Sequence, residues 1–246
     1  MVFQQDGYQV RLEWGYEGVR TLAPVSDIVV IIDVLSFTTC VDVVVGRGGT
    51  VFPYRYRDAS AAEYARQTNA LLAGKRGEAI SLSPASLQTI EAGSRIVLPS
   101  PNGSTCTVLA KDSGATVVAG CLRNAAAVAG YIREQKGIVS VIACGERWPD
   151  GSLRPAIEDM LAAGAIISQL QEMSKSPEAL MAEAAFAAAG STLSFLLEGC
   201  SSGQELITSG YGEDVYVATA IHASKTVPVL SQEGAYVSWV DSRINT

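Results

Sequence analysis

Four apolar runs along this chain stop abruptly at small polar residues. The runs cover positions 28–32, 95–98, 115–119 and 139–143, and the polar segments that follow them begin at Asp33, Ser100, Gly120 and Cys144. Short β-branched runs of this kind are typical of strands buried on both faces of a sheet. Because ligands of open α/β sheets bind at the carboxyl ends of parallel strands, the four ends predict one pocket for a small, highly charged ligand.

Helix signals fill the intervals between these predicted strands. Each interval combines an N-cap residue or a proline with helical spacing of apolar residues, and most end at a glycine. The predicted helices start at Ser36, Asp58, Ser83, Ser104, Asn124 and Pro155. The second is expected to run to Gly74 and to bury Leu71 and Leu72, and the third to close at Gly93. Strands that alternate with helices indicate an α/β fold, with a largely parallel or mixed sheet and helices on both faces.

The two ends of the chain depart from this alternation. Positions 8–14 alternate apolar and polar residues, which predicts a half-buried antiparallel or edge strand. Positions 176–225 predict several short helices, one of them opened by a capping box of Ser202 and Glu205, and a short strand follows at 227–230. Since no Pro-, Ser- or charge-rich linker divides the chain, we expect one domain over 1–246 whose C-terminal third is mainly helical.

The composition narrows the class of partner. The chain has 246 residues, 48% of them apolar, and a net charge of −7 without a basic run, which argues against nucleic acid or an anionic membrane. Glu183 and small polar residues interrupt the apolar stretch 179–197, so buried alanine-rich helices are favoured over a membrane span. The chain opens without a secretory signal pattern and its five cysteines form no Cys-x-x-Cys pair, so a cytoplasmic protein without disulfides is expected.

Asp33 stands directly after the first run and shortly before Ser36, Thr38 and Thr39. A carboxylate at a strand end, beside a helix N-terminus and three hydroxyls, suits a metal ligand or a nucleophile that accepts phosphate. Capping of the following helix is the alternative explanation. A phosphatase of the haloacid dehalogenase type would need a second Asp two positions later. This chain has Leu35 there, so that mechanism is disfavoured.

Two turns combine hydroxyl or amide side chains with the start of a predicted helix. One consists of Asn102, Gly103, Ser104 and Thr105, and the other contains Arg123 and Asn124. Backbone amides at a helix N-terminus bind phosphate or sulfonate oxygens, and Arg123 adds a positive charge. Ordinary capped turns need the same residues, so each turn by itself leaves both explanations open.

The segment 144–159 carries the most charge at any strand end. It places Arg147 and Arg154 in a long polar loop, and Glu158 and Asp159 in the first turns of a helix that starts at Pro155. The helix dipole favours acidic residues in the first turn of a helix, and this explains the two acids without any functional role. No such explanation covers the loop, and polar loops at strand ends commonly bind ligands. We expect the arginines to clamp an anion, and Asp33 with at least one of the two acids to reach one divalent cation.

Taken together, three segments resemble the 2-phosphosulfolactate phosphatase family. They are residues 29–39, residues 100–105, and residues 143–146 together with 157–165. Their order and spacing match from about residue 27 to residue 230. Two features depart from the family pattern: Ser104 replaces the usual Thr, and a family segment rich in Gly, Asn, Ser and Pro survives only as residues 76–78 and 82–84.

The resemblance implies a magnesium-dependent, three-layer α/β/α phosphohydrolase acting on 2-phospho-3-sulfolactate or a similar small polyanionic phosphomonoester. It places Asp33, Glu158 and Asp159 in the acidic blocks, as catalytic and Mg²⁺-binding residues, and 102–105 in the block that contacts substrate. Arginines and amide dipoles would neutralise such a substrate together with Mg²⁺. Attack on phosphorus by a water on the metal, or by Asp33 through an aspartyl phosphate, fits these residues equally well.

Two other functions and the oligomeric state stay open at this point. A non-catalytic protein that binds small anions would have the same strand ends and no hydrolysis. A nucleotide-using transferase is disfavoured, because the chain lacks the Gly-x-x-x-x-Gly-Lys-Ser/Thr and Gly-x-Gly-x-x-Gly patterns. A homo-oligomer is compatible with the sequence, which does not determine the assembly.

Overall fold

A computed structural model describes residues 2–239 of the chain. Within that range nine strands form one sheet and two more form a small hairpin. The strands are β1 Val10–Trp14, β2 Ile28–Ile32, β3 Thr50–Tyr54, β4 Leu71–Leu72, β5 Arg95–Pro99, β6 Thr116–Gly120, β7 Val139–Ala143, β8 Glu146–Arg147, β9 Leu153–Arg154, β10 Pro228–Leu230 and β11 Tyr236–Ser238. All four apolar runs of the sequence therefore form strands, within a residue or two of the predicted bounds.

The strand order in the large sheet is β1-β7-β2-β6-β10-β11-β3-β5-β4. The first four strands are mutually parallel, and so are the last three. Strands β10 and β11 form an antiparallel hairpin that pairs antiparallel with β6 on one side and β3 on the other. The sheet is therefore mixed, because a C-terminal hairpin joins two parallel blocks.

Helices cover both faces of the sheet. Their bounds are α1 Gly15–Leu22, α2 Phe37–Gly46, α3 Ala59–Gln67, α4 Pro84–Leu87, α5 Gly103–Lys111, α6 Ala125–Gln135, α7 Ile157–Ile167, α8 Pro177–Ala189, α9 Leu193–Gly199, α10 Ser201–Thr208 and α11 Gly212–Thr219. Side chains of α6, α7 and α8 pack in one core cluster, whereas those of α1, α2 and α5 pack in a second. The three-layer α/β fold expected from the sequence is confirmed.

Strand β2 shows why its sequence is apolar throughout. Ile28, Val30 and Ile32 belong to the first core cluster, and Val29 and Ile31 belong to the second, so successive side chains enter opposite layers. Its two parallel neighbours, β6 and β7, end at the same edge of the sheet. The loops that follow β2 and β7 are therefore close in space, and together with the loop that follows β5 they form the site described below.

Two predicted helix ends were wrong, and a long-range contact explains the first of them. Helix α3 ends at Gln67 rather than Gly74, and Leu71 and Leu72 form the edge strand β4 with 53% and 37% exposure instead of being buried. Helix α4 stops at Leu87, well before Gly93. Pairing of β4 with β5 is a long-range contact that helical periodicity cannot show.

The ends of the chain also differ in part from expectation. Strand β1 is an edge strand, as predicted, but it pairs parallel with β7, so the antiparallel alternative was wrong. Helix α10 begins at Ser201, where the Cys200 thiol accepts a hydrogen bond from the amide of Gly203. The predicted capping box is therefore not formed, and Ser202 instead lies within the first turn of the helix.

The apolar stretch near position 180 is less buried than predicted. Pro177–Gly199 is long and apolar enough to span a membrane by length and composition, with a mean hydropathy of 1.5 over its best window. A short 3-10 turn separates it into α8 and α9, and Glu183 of α8 pairs with Lys175 at 2.7 Å. Leu180 and Met181 face outward with 49% and 64% exposure. Core helices of soluble proteins also have this length and composition, so the stretch alone does not distinguish a membrane span from a core helix.

Candidate active site

Asp33 lies at the meeting point of two helix N-termini. Its Oδ2 accepts hydrogen bonds from the Gly103 amide at 2.7 Å and the Ser100 hydroxyl at 3.3 Å, and its Oδ1 accepts one from the Phe37 amide at 3.3 Å. Phe37 opens α2 and Gly103 opens α5. The side chain thus contacts the helix that follows it and also reaches a second helix, which capping alone does not explain. Burial raises the pKa of Asp33, the amides oppose that rise, and Glu158 adds to it.

Asp159 connects the loops that follow β2 and β7. Its Oδ1 accepts a hydrogen bond from the Val34 amide and its Oδ2 accepts one from the Gly145 amide, each at 2.8 Å. Burial raises the pKa of Asp159 well above its ordinary value, and the charges of Asp33 and Glu158 raise it further. This carboxyl group therefore holds two strand-end loops in place, and each of its oxygens keeps one lone pair for another ligand.

Glu146 and Glu158 complete what we call the acidic cluster, formed by Asp33, Glu146, Glu158 and Asp159. Glu158 is buried, and the Cys200 thiol donates to its Oε2 at 3.5 Å. Glu146 accepts a hydrogen bond from the Asn102 amide nitrogen at 2.8 Å. Burial, and then the charge of Asp33, raises the pKa of Glu146 to about 7. The charges of Asp33, Glu158 and Asp159 interact with one another, and Glu146 joins them through its interactions with Asp33 and Glu158.

The sequence contained a signal for Glu146 that went unused. The residue follows β7 after only two positions, so it stands at a strand end as Asp33 does. A carboxylate with one hydrogen bond and a pKa near neutrality is suited to proton transfer.

The 102–105 turn is partly directed at the acidic cluster. The Asn102 side chain does not cap α5, because its nitrogen binds Glu146, and its Oδ1 is buried with no partner among residues 2–239. The Gly103 amide binds Asp33. By contrast, Ser104 is fully buried and donates to the Leu98 carbonyl at 2.8 Å. Thr105 is buried and none of the described residues hydrogen-bonds its hydroxyl.

The predicted polar loop after β7 is a β-hairpin made by β8 and β9. Glu146 pairs with Arg154 across it, and Arg147 pairs with Leu153. The Arg147 guanidinium lies 3.8 Å from the centre of the Tyr16 ring, and its Nε and Nη2 are buried without a hydrogen-bond partner in the described part of the chain. Arg154 donates to the Ser202 hydroxyl at 3.1 Å. The two arginines thus stand on the hairpin beside Glu146, one stacked on α1 and the other bound to α10.

Arg123 and Asn124 contact other parts of the fold. Arg123 pairs with Asp42 of α2 at 2.9 Å and donates to the Val217 carbonyl. Asn124 is fully buried, and its side chain accepts from the Cys121 amide and donates to the Ala119 carbonyl. Their hydrogen bonds hold the loop after β6 to neighbouring elements. The structure does not bring these two residues to the acidic cluster.

Two basic residues that the sequence analysis did not place in the site lie close to it. Arg76 donates to the Ser36 hydroxyl at 3.0 Å and pairs with the buried carboxylate of Asp214. Arg57 donates to the carbonyl of Pro99 at 3.3 Å, one residue before Ser100. Each contacts a segment that holds Asp33. Their positions depend on how residues 55–83 pack against the sheet. No local sequence motif predicts this packing.

The acidic cluster fits a divalent cation that takes few protein ligands. Among residues 2–239, no three His, Cys, Asp or Glu side chains converge as a ready-made metal site. Magnesium needs only one or two carboxylates, because it keeps waters and binds substrate phosphate. The charge of Glu158 raises the pKa of Asp33, and the charges of Asp33 and Glu158 raise that of Asp159, so a cation among these carboxyl groups would relieve the repulsion. The chemistry of the donor set therefore suits Mg²⁺.

Comparison with known proteins agrees with this geometry. A family model described as 2-phosphosulpholactate phosphatase matches residues 17–233. The chain belongs to the 2-phosphosulfolactate phosphatase family. The match includes the whole acidic cluster, the 102–105 turn and the β8–β9 hairpin, so the resemblance seen in the sequence is confirmed.

Individual relatives within the 2-phosphosulfolactate phosphatase family support the same assignment. A probable 2-phosphosulfolactate phosphatase of Carboxydothermus hydrogenoformans is 30% identical over 208 residues, which cover 81% of this chain and 84% of the relative. Probable 2-phosphosulfolactate phosphatases of Thermotoga petrophila and Thermotoga maritima are each 27% identical over 209 residues, covering 82% of this chain and 88% of the relative.

Proposed function

We propose that this protein is a magnesium-dependent phosphatase that removes phosphate from 2-phospho-3-sulfolactate or a similar small polyanionic phosphomonoester. Family membership supports the reaction class. The observation that carries the proposal is Asp33, a buried carboxylate held by the first amides of two helices inside a cluster of three more carboxylates. Its surroundings offer amide dipoles for phosphate oxygens and acidic groups for a cation.

Asp33 and Glu158 would hold Mg²⁺ in this proposal, with Asp159 as a third carboxyl group within reach. When bound, the ion would neutralise charge on the phosphate oxygens and acidify a water. The chain's own contribution is to fix Asp33 through Gly103, Ser100 and Phe37. A fixed carboxylate serves either as the nucleophile toward phosphorus or as the group that orients an attacking water. Both routes use the same hydrogen bonds.

Glu146 would transfer the proton that the leaving group needs. The alkoxide that leaves on P–O cleavage is a strong base, and a carboxylic acid near it stabilises the transition state by donating a proton. The raised pKa keeps a large fraction of Glu146 protonated near neutral pH. The Asn102 amide orients its carboxyl group at 2.8 Å.

We place the enzyme in the cytoplasm as part of this proposal. Cys40, Cys106, Cys121, Cys144 and Cys200 are all free thiols, and four of them are buried. Thiols persist in reducing compartments. The substrate class, a small anionic metabolite, requires no nucleic-acid or membrane surface.

Release of inorganic phosphate tests the proposed function. The wild-type protein should release phosphate from 2-phospho-3-sulfolactate with Mg²⁺, and EDTA should abolish the activity. Asp33→Asn keeps the shape of the side chain and removes its charge, so we expect kcat/KM to fall by about 100-fold or more. Asp112→Asn, an exposed aspartate at the other end of α5, is the matched control and should keep wild-type activity.

Two results would contradict the proposal. Equal kcat/KM for wild type and Asp33→Asn would remove Asp33 from catalysis. Absence of phosphate release by wild type at any Mg²⁺ concentration, with sulfolactate still bound in a calorimeter, would instead identify a non-catalytic protein that binds small anions.

A further inference from the structure

A cavity of about 540 Å³ opens between the start of α3, the segment that follows β4 and the end of β5. Its walls combine apolar and basic side chains. They include Arg57, Leu72, Lys75, Arg76, Leu82 and Pro99. A space of this size accommodates a small organic anion, since ligand pockets commonly measure about 300–1,000 Å³.

Two residues that line the cavity are next to, or bound to, residues that surround Asp33. Pro99, in its wall, precedes Ser100, whose hydroxyl donates to Asp33 at 3.3 Å. Arg76, also in the wall, donates to Ser36, three residues after Asp33. Partial burial and the charge of Arg76 lower the pKa of Arg57, and the carboxylates of Asp33 and Glu146 act against that change. Arg57 is therefore within electrostatic range of both carboxylates.

The basic residues of the cavity differ in whether they already form an ion pair within the protein. Arg76 pairs with Asp214 and is only a fifth exposed, at 21%. Arg57 and Lys75 form no ion pair with any described residue, and the one hydrogen bond of the Arg57 guanidinium goes to the Pro99 carbonyl. The two acids of the wall are occupied by local donors: Asp58 accepts from the Ser60 amide, and Glu78 accepts from the Lys75 amide.

We propose that this cavity binds the anionic substituent of the substrate that lies remote from the phosphate, a sulfonate or carboxylate held by Arg57 and Lys75. The inference rests on the proposed function and names the element that sets its specificity. Guanidinium nitrogens bind two-oxygen anions in a fork, and the lysine adds a point charge. An anion also relieves the repulsion between Arg57 and Arg76. Arg154, one of the residues predicted to clamp the anion, is bound to Ser202 instead.

Substrate preference tests this assignment. Arg57→Met and Lys75→Met should lower the ratio of kcat/KM for 2-phospho-3-sulfolactate over that for glycerol 2-phosphate, which has no second anion. The expected fall is roughly 10- to 100-fold for each, the equivalent of one charged hydrogen bond. Arg66→Met is the matched control: Arg66 lies on α3, pairs with Glu63 and does not line the cavity. Its ratio should equal that of wild type.

A third substrate, 2-phospholactate, carries the carboxylate without the sulfonate. A loss confined to phosphosulfolactate assigns the sulfonate to the cavity, and a loss shared with phospholactate assigns the carboxylate; either result supports the inference. Equal losses of kcat/KM on all three esters, or an unchanged substrate ratio in both variants, would overturn the assignment of the cavity. Hydrolysis by wild type would still support the proposed function in that case.

The two proposals can also fail separately. If wild type hydrolyses none of the esters, the proposed function is wrong, and calorimetric titration with 3-sulfolactate still tests the cavity. A Kd that rises roughly 10-fold or more in Arg57→Met but not in Arg66→Met supports it. Absence of binding, or equal Kd values in wild type and Arg57→Met, overturns it.

Discussion

Glu146 differs from the two aspartates of the acidic cluster in the groups that hydrogen-bond its carboxyl group. Asp33 and Asp159 each accept hydrogen bonds from two backbone amides, whereas Glu146 accepts one from the side chain of Asn102. Amide donors stabilise the ionised form, and burial without them stabilises the protonated form. The pKa values of Asp33 and Asp159 are nevertheless raised by burial, so the amides chiefly fix the positions of these two groups, whereas Glu146, with a pKa of about 7, can exchange a proton near neutral pH.

Glu146→Gln should stabilise the protein above neutral pH. The folded-state pKa of Glu146 is raised from 4.5 to about 7. A raised carboxyl pKa means that the stabilising contribution is complete below the unfolded value of 4.5 and is lost as pH rises through about 7. Glutamine keeps the Asn102 hydrogen bond and never ionises. We therefore expect the free energy of unfolding of Glu146→Gln, minus that of wild type, to be roughly 2–3 kcal/mol larger at pH 8 than at pH 4.

Urea unfolding of wild type and Glu146→Gln between pH 4 and pH 8, in EDTA, measures this difference. Glu172→Gln, at an exposed position, is the control and should show little dependence on pH. A stability difference for Glu146→Gln that stays constant across the range would contradict the assigned pKa.

At the scale of elements, the N-termini of α2 and α5 converge because a glycine opens α5. A Cβ built on Gly103 would lie 2.2 Å from Phe37 Cδ1 and 2.6 Å from Asp33 Oδ2. Only a residue without a side chain lets the amide approach the carboxylate to 2.7 Å. The helix start is therefore shaped by Asp33, which precedes it by 70 positions.

Gly103→Ala should displace Asp33 and reduce both stability and activity. We expect a loss of about 1–3 kcal/mol from overpacking, and a fall in kcat larger than the rise in KM, since the carboxylate rather than the cavity moves. Gly130→Ala is the control: Gly130 lies within α6, a Cβ built on it would lie 3.9 Å from Arg133 Nη2 and clash with nothing, and alanine there should stabilise the protein by about 0.5–1 kcal/mol. Thermal unfolding and phosphate release measure the stability and activity of both variants. Equal effects of the two substitutions would show that the close approach of the Gly103 amide to Asp33 is not required.

At the scale of the whole molecule, the C-terminal helices hold the site together from far along the chain. Asp214 of α11 pairs with Arg76 and accepts from the Ser83 hydroxyl and the Ala85 amide. Arg76 in turn donates to Ser36 in the loop that carries Asp33. The helical C-terminal third is thus linked by hydrogen bonds to the strand end of β2, across 138 positions between Arg76 and Asp214.

Arg76→Met should destabilise the protein by about 3–5 kcal/mol, because it leaves the Asp214 carboxylate buried without its cation. The double variant Arg76→Met, Asp214→Leu should recover part of this loss, since no charge is left unpaired. Arg20→Met breaks the exposed pair with Glu17 and should change stability by less than about 1 kcal/mol. Denaturant unfolding of these three variants and of Asp214→Leu alone tests the pair, and a double variant whose loss equals the sum of the losses in Arg76→Met and Asp214→Leu would contradict the coupling.

The sequence by itself determined the four apolar strands, the shared edge of β2, β6 and β7, and three of the four residues of the acidic cluster. The runs at 28–32 and 139–143 became β2 and β7 without a change of bounds, because a strand buried on both faces must be apolar throughout. Asp33, Glu158 and Asp159 could be selected because each stands at a strand end or a helix start. These are local patterns, and the fold class follows from their alternation.

Only the tertiary structure decided which distant side chains complete the site. Arg123 and Arg57 look alike in the sequence, yet one pairs with Asp42 and the other lines the cavity beside Asp33. The β10–β11 hairpin that makes the sheet mixed, and the exposure of Leu71 and Leu72 on edge strand β4, depend on pairing with strands far along the chain. Apolar periodicity records how a segment is buried, but it does not record the partner, since any strand of matching pattern can supply the hydrogen bonds.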